Sequence, residues 1–193
     1  MAEPFLAPYR FETGEFVLRV YQPGDGEALR VATVESYEHL RPWMNWATQD
    51  QTVEQAEAIC RKLAAAYLSG TDYTLGIWQG DDLLGGTGFH MRCGPIEWKC
   101  AEVGMWIRDS RAGSGLGTRV LAALLDWGFG EWGWERLIWK CEVQNIASAR
   151  VAEKNGFTLE ATHKSDAVGA DGLRRDTHLY VKLRGQDVVQ GRR

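Results

Sequence analysis

The chain lacks any uninterrupted apolar run of the ~18 residues that a membrane-crossing helix requires, so no helical span is expected in it. Its opening, "MAEPFLAPYRFETGEF", has no basic stretch leading into an apolar one, and no signal peptide is read there. An excess of positive charge is missing too. Lys and Arg number 22 against 26 Asp and Glu, a net charge of −4. Without a basic field, neither nucleic acid nor an anionic membrane is expected as a partner. Cysteine is sparse: Cys60, Cys93, Cys100 and Cys141 form no CxxC pair and no zinc-finger spacing. Free thiols in a reducing cytoplasm are the expectation. Histidine is sparser in pattern than in number. His39, His90, His163 and His178 are scattered without metal-ligand spacing, so no metal is expected. Repeats, low-complexity tracts and linker-like segments are absent. The whole of 1–193 reads as one domain, with a core over about 15–184 and a frayed tail over 185–193.

Apolar residues make up 45% and charged residues 25%, an ordinary globular balance. Tryptophan is abundant, with nine. Some belong in a core, and others suit a site that holds something flat or amphipathic. Along the chain, "EFVLRVYQ" (15–22) alternates as a strand and "GEALRVATVESYEHL" has helical periodicity. "RPWMNWA" is a turn carrying Trp43 and Trp46. "TVEQAEAICRKLAAAYLSG" is a helix with Thr52 and Gln55 at capping-box spacing; Val53, Ala56, Ile59, Cys60, Leu63 and Tyr67 lie on one face. "DYTLGIWQ" and "LLGGTGFHMRC" read as a hairpin around "GDD", and "KCAEVGMWI" as a further strand. A glycine-rich loop and a helix striped by Leu116, Val120, Leu121, Leu124 and Leu125 come next. "ERLIWKCEV" reads as a strand buried on both faces. "NIASARVAEKNGF" is a short helix capped by an Asn. "TLEATHK" and "DTHLYVKL" are strands joined by a polar loop, "SDAVGADGLRR". The order βααβββαβαββ makes one α/β domain with a mixed sheet. Its strand–loop–helix–strand unit implies one parallel pair.

The chemistry is concentrated in "DSRAGSGLGTRVLAALLDWGF" (109–129). Glycines at 113, 115 and 117 stand between a strand and a helix. Glycine permits unusual dihedrals and close approach of a ligand. The helix start leaves amides unpaired and carries partial positive charge. Together they make a cradle for a phosphate or pyrophosphate; the same glycines would also serve a tight turn with no ligand. A P-loop needs Gly-Lys-Ser/Thr, whereas this chain has Gly117-Thr118-Arg119. A dinucleotide fingerprint needs a third glycine where Thr118 stands, and an earlier place in a parallel sheet.

The loop, the preceding "AEVGMWI" and the later "NIASARVAEKNGFTLE" together resemble the GNAT superfamily of acyl-CoA-dependent N-acetyltransferases. In that family the pyrophosphate loop reads Gln/Arg-x-x-Gly-x-Gly/Ala. This chain has Ala112 at the first position, with Arg111 one residue earlier. "ESYEHLRPWMNW", "GMWI" and "NIASARVAEKNGF" look like the RimJ/RimL branch, which acetylates N-terminal α-amines of ribosomal proteins and other small amines. The resemblance spans roughly residues 16–183.

The resemblance implies a GNAT-like fold, a mostly antiparallel sheet with a splayed central parallel pair and helices on both faces. It implies acetyl-CoA as cosubstrate. The amides of Ala112, Gly113, Ser114, Gly115, Leu116, Gly117 and Thr118 would hold the pyrophosphate, with Arg111 adding charge. The pantetheine arm would lie along Trp106, Ile107 and Arg108, and Asn145 would touch it; an Asn there also suits a plain N-cap. Glu102 shares a strand face with Trp106 and is the candidate base, unless it is simply a solvated strand residue. Ser148 matches the branch's serine and would hydrogen-bond the leaving sulfur; as the third residue of its helix, it could instead serve only its cap. Trp43 and Trp46 sit where the family's acceptor binds, or cap the helix pair. Glu160 could pair with an acceptor ammonium, or be a surface residue. A homodimer is compatible with exposed tryptophan.

The acceptor remains open among a protein N-terminus, a polyamine, an antibiotic amine and an aminoacyl-nucleotide. An α-amine, with a reference pKa of about 7.7–8.0 against about 10.4 for lysine, asks less of a weak base. Two other classes stay in view: a non-catalytic acyl-CoA sensor, which needs neither Glu102 nor Ser148, and a nucleotide binder.

Overall fold

The computed structural model describes residues 5–169 and 171–185. Eight strands form one mixed sheet: β1 (Arg10–Glu12), β2 (Val17–Val20), β3 (Tyr73–Gln79), β4 (Asp82–His90), β5 (Cys100–Ile107), β6 (Arg136–Glu142), β7 (Thr158–Val168) and β8 (Arg174–Leu183). Their spatial order is β1-β2-β3-β4-β5-β6-β8-β7, and β5–β6 is the parallel pair. The helices are α1 (Gly26–Glu35), α2 (Tyr37–Leu40), α3 (Val53–Leu68), α4 (Leu116–Phe129) and α5 (Ile146–Lys154). Among the described residues no helix is long and apolar enough to cross a membrane.

The two layers of helices follow from strand alternation. Odd-numbered β5 residues, Met105 and Ile107, meet Gly117 of α4. Even-numbered Trp106 packs instead with Leu29 of α1 and Ala56 and Cys60 of α3. The α4 stripe read from the sequence is buried in full: Leu116, Val120, Leu121, Leu124 and Leu125. The α3 capping box forms as its spacing demands, with Gln55 N–H donating to Thr52 and the Gln55 side chain accepting from the Thr52 N–H.

Several elements depart from expectation. β1 is an added edge strand, too short to show a period. The first helix breaks at Ser36, whose hydroxyl donates to the Ala32 carbonyl at 2.7 Å and whose oxygen accepts the Asp109 N–H at 2.9 Å. Val53 and Ile59 of α3 are exposed rather than core, because Ala56, Cys60 and Tyr67, with Leu63 packed beside them, make up its buried face. β6 is not buried on both faces: it alternates, with Lys140 exposed, because α1 and α3 do not extend over that part of the sheet. The polar loop before β8 is mostly hairpin. β7 runs on to Val168 with register shifts that absorb the extra polar residues. Of the expected frayed tail, 186–193 lies outside the described residues.

Candidate active site

The site begins where the parallel pair ends. β5 and β6 are in register from Cys100–Arg136 to Val103–Trp139 and then diverge, although β5 continues to Ile107 and β6 to Glu142. On the other side of β5, the Arg108 N–H donates to the Leu84 carbonyl at 2.8 Å and the Trp106 carbonyl crowds Gly85. Backbone groups alternate along a strand, so Trp106 and Arg108 face β4 while Met105 and Ile107 face the gap. An amide-bearing chain in the gap would find those two residues unpaired. Ile107 was expected there. Met105 was not, although alternation in "GMWI" carries the signal.

The glycine loop closes over this gap. After a 3-10 turn over Asp109–Arg111, Gly113 and Gly115 take φ of 72° and 78°, a region that a side chain would strain. Gly115 is the N-cap of α4 and makes no side-chain cap bond, so the first-turn amides are left for an incoming anion. Nothing lies within 4 Å of where a Cβ on Gly113 would stand. Arg111, Ala112, Gly113 and Ser114 are exposed. The Ser114 hydroxyl is turned back to the Arg111 carbonyl at 2.7 Å, so its main chain rather than its side chain is offered. Arg108 is ion-paired with Glu35, which anchors the start of the loop to α1. Hydrogen bonds from Arg108 and Ser110 hold the Glu35 carboxyl down at about 2. Uncapped amides, open space and a free strand edge fit a pyrophosphate joined to an amide-bearing arm.

On the α5 side, Asn145 caps the helix by accepting the Ser148 N–H at 3.0 Å. Ser148 does more than bond its cap. Its Oγ accepts from the Trp139 indole N–H at 3.0 Å, and Trp139 is the last β6 residue before the split. With its oxygen engaged as acceptor, the hydroxyl proton is directed elsewhere. Cys141 lies close by, its thiol pushed up by burial and partly offset by a hydrogen bond from Ser148.

On the opposite face Glu102 is only 7% exposed. One oxygen bonds Arg92, and the other lies 3.6 Å from Lys140 Nζ. The reading of Glu102 as a solvated strand residue is therefore corrected. Its cross-strand neighbour His90 hydrogen-bonds Asp72, with Nδ1 3.0 Å from both carboxylate oxygens. The far edge of that ring, Nε2, lies over Gly104. Trp106 lies flat across Gly86, and Trp46 meets it edge-on at 5.9 Å while staying 50% exposed. Asn45, between the paired tryptophans of the turn, donates to the Val168 carbonyl of β7 at 3.2 Å and ties the turn across to the β7–β8 hairpin.

A model of the acetyltransferase (GNAT) domain matches residues 15–158. The chain belongs to the GNAT family. It is an acetyltransferase with acetyl-CoA as its acetyl donor. A ribosomal-protein-serine acetyltransferase of Escherichia coli (strain K12) is 29% identical over 144 residues, 75% of this chain and 79% of that one. The RimL ribosomal L7/L12 α-N-protein acetyltransferase in complex with coenzyme A superposes with a TM-score of 0.80 at 24% identity, over 89% of this chain and 95% of that one. The microcin C7 self-immunity acetyltransferase MccE, in complex with acetyl-CoA and AMP, gives a TM-score of 0.80 at 21% identity, over 89% and 93%. The two structures share the fold of this chain, and the sequence likeness to the Escherichia coli enzyme is what points toward the RimJ/RimL branch.

Within this GNAT domain the expected site residues divide into three groups. The loop 111–118, Ile107, Asn145 and Ser148 surround the split. Glu102, Trp106 and Trp46 lie together on the α1–α3 side of β5, with Trp43 half-buried in the same turn. Glu160 stands apart: it pairs with Arg136 at 2.8 Å, at the closed end of the parallel pair. His90 and Asp72 were missed, because their partnership spans two strands and has no sequence motif.

Proposed function

We propose that this acetyltransferase moves the acetyl group of acetyl-CoA to a primary amine, with a protein N-terminal α-amine as the favoured acceptor and the cytoplasm as its place of action. The observation that carries the reading is the split after Val103–Trp139, faced by the uncapped start of α4. The amides of 112–118 bind the pyrophosphate. Arg111 supplies charge beside them, in place of the side chain that Ala112 lacks. Met105 and Ile107 pair with the arm, and Asn145 borders it. The amine nitrogen attacks the thioester carbon; the C–N bond forms and the C–S bond breaks. Ser148, held by Trp139, turns its O–H from Cys141 to the leaving sulfur. Glu102, set between Arg92 and Lys140, is the carboxylate of this face that an acceptor ammonium would approach.

An α-amine acceptor is supported by the likeness to ribosomal-protein acetyltransferases. One observation favours a second acceptor class. The Trp46–Trp106 pair offers a half-exposed aromatic surface on which a nucleobase would stack, and the fold neighbour MccE was crystallised with AMP. The test is incubation with acetyl-CoA and four acceptors: a serine-led hexapeptide, an alanine-led hexapeptide, spermidine and an aminoacyl-sulfamoyl adenosine. Thiol release above background with a hexapeptide supports the first reading, and release with the adenosine alone supports the second. Coenzyme A binding without release from any acceptor would instead mark a sensor.

A further inference from the structure

Acetylation needs a group that takes a proton from the acceptor nitrogen, and Glu102 is poorly placed to be that group alone. Arg92 and Lys140 already engage its two oxygens. The neighbouring His90 is different. A carboxylate can only accept hydrogen bonds, so the imidazole nitrogen 3.0 Å from both Asp72 oxygens must carry the proton. In the neutral ring that leaves the lone pair on Nε2. Asp72 is held in turn: Thr74 Oγ1 donates to it at 2.9 Å. Burial raises the Asp72 carboxyl, but the His90 and Thr74 hydrogen bonds and the charge of Arg92 outweigh it, and the group sits below its ordinary range. Nε2 is aimed over Gly104, where a Cβ would come within 2.8 Å of it. Gly104 is the first β5 residue past the last parallel rung. The ring therefore lies at the mouth of the gap, opposite the side on which Trp139 holds Ser148. Its side chain is 14% exposed, enough to be reached.

Resting on the function proposed above, we infer that the Asp72–His90 pair is the proton acceptor of the reaction, with His90 Nε2 taking the proton from the acceptor nitrogen and Asp72 acting as a positioning residue. An ammonium acceptor loses two protons. The first passes to Nε2, and the free amine then forms the C–N bond. The second leaves nitrogen as the C–S bond breaks and ends on the coenzyme A sulfur, with Ser148 O–H hydrogen-bonding that sulfur. The imidazolium returns its proton to solvent. The charged groups facing His90 are Asp72 and Glu102, with Arg92 and Lys140 beyond them. The two carboxylates stabilise the imidazolium as it forms.

Two measurements on the full chain test this. The first needs no acceptor: long-range 15N–1H NMR of the histidine rings in wild type, H90Q and D72N. The neutral ring of His90 is expected as the Nδ1–H tautomer, with that preference lost in D72N. A neutral ring carrying its proton on Nε2, or an unchanged tautomer in D72N, overturns the inference. The second is the pH profile of thiol release with acetyl-CoA and the serine-led hexapeptide. At pH 7, H90Q is expected to lose about a hundredfold in kcat, the scale of general-base catalysis, with KM for acetyl-CoA unchanged. Above the amine's own pKa, near pH 9.5, the deficit shrinks to about fivefold, because solvent then deprotonates the acceptor. D72N follows the same pH shape with a smaller loss, and H90N shares it with H90Q. An H90Q enzyme within twofold of wild type at pH 7, or a deficit equal at every pH, refutes the assignment. Protection of each variant by coenzyme A in thermal unfolding confirms that it is folded. If wild type releases no thiol with any acceptor, the functional reading fails, while the tautomer measurement still decides whether the pair is built as described.

Discussion

Two of the bonds that Ser148 makes have opposite implications. Its N–H serves the Asn145 cap, which any residue could do, whereas its Oγ accepts from Trp139, which needs a hydroxyl. Ser148→Ala is therefore expected to leave the α5 cap intact and to lower kcat by about a hundredfold to a thousandfold at saturating acetyl-CoA, the range for a lost hydrogen bond to charge that develops in the transition state. Steady-state kinetics with the KM for acetyl-CoA unchanged would agree; an unchanged kcat would remove Ser148 from the chemistry. Gly117 makes a complementary case. A Cβ there would meet Ile107, Met105 and Val151 at 3.6–3.8 Å, ordinary contact distances, and its φ is not positive. Inside a helix Ala is better than Gly by about 1 kcal/mol. Gly117→Ala should therefore keep or raise the melting temperature while raising KM for acetyl-CoA severalfold, because the methyl projects toward the residues that border the gap. Residues like these were legible because each sits in a local pattern: a loop spacing, or a helix start three residues long. The Asp72–His90 pair was not legible, being 18 residues apart and joined only by the β3–β4 hairpin. Glu102 was legible as to face but not as to burial, since Arg92 and Lys140 reach it from separate elements.

Elements were read well where a period ran for several turns and poorly where packing overrode it. α4 shows a full apolar stripe and buries all of it. α3 shows a similar stripe, yet Ala56 and Cys60 take the buried face of its first turns and leave Val53 and Ile59 in solvent. The break between α1 and α2 is a tertiary effect, set by Ser36 reaching the loop at Asp109. That junction carries a pH-dependent bond. Glu35 titrates at about 2 in the folded protein, against 4.5 for an unperturbed glutamate, because Arg108 and Ser110 hydrogen-bond its carboxylate. A depressed pKa adds stability that is complete above the unfolded value and is lost as pH falls toward the folded one. Glu35 keeps 34% of its side chain exposed, so solvent screening limits the gain to under about 1 kcal/mol. Glu35→Gln should accordingly be less stable than wild type at pH 7, with the difference fading between about pH 4.5 and 2. Urea unfolding at pH 7 and pH 3 checks this; a difference that persists at pH 2 would mean the loss comes from packing.

At the scale of the whole molecule, the sheet is divided by the gap between β5 and β6. One half carries β1 to β5 with α1 and α3; the other carries β6, β8 and β7, and their continuity rests on the rungs from Cys100–Arg136 to Val103–Trp139. Six of the nine tryptophans show how differently the rings are used. Trp132 stacks on Trp134 and meets Trp127 edge-on, all three buried; Trp139 sits at the last rung; Trp46 and Trp106 pack edge-on, with Trp46 half-exposed. Composition announced an aromatic-rich core and an aromatic site without saying which ring went where, because exposure depends on which helices cover each half. A ligand that fills the gap touches both halves and binds only the folded form. At coenzyme A concentrations a hundredfold above its Kd, this linkage contributes about 2.7 kcal/mol. For a domain of this size each kcal/mol moves the melting temperature by about 2–4 °C, so a rise of roughly 5–10 °C is expected. Thermal unfolding with coenzyme A, with dephosphorylated pantetheine alone, and with NAD separates the contributions. The pantetheine arm alone should give a small rise, because it pairs with the β5 edge but leaves the α4 amides empty. Gly117→Ala should reduce the coenzyme A rise without lowering the unliganded melting temperature. A rise with NAD and none with coenzyme A would mean that the gap holds a dinucleotide and that the loop has been assigned to the wrong phosphate.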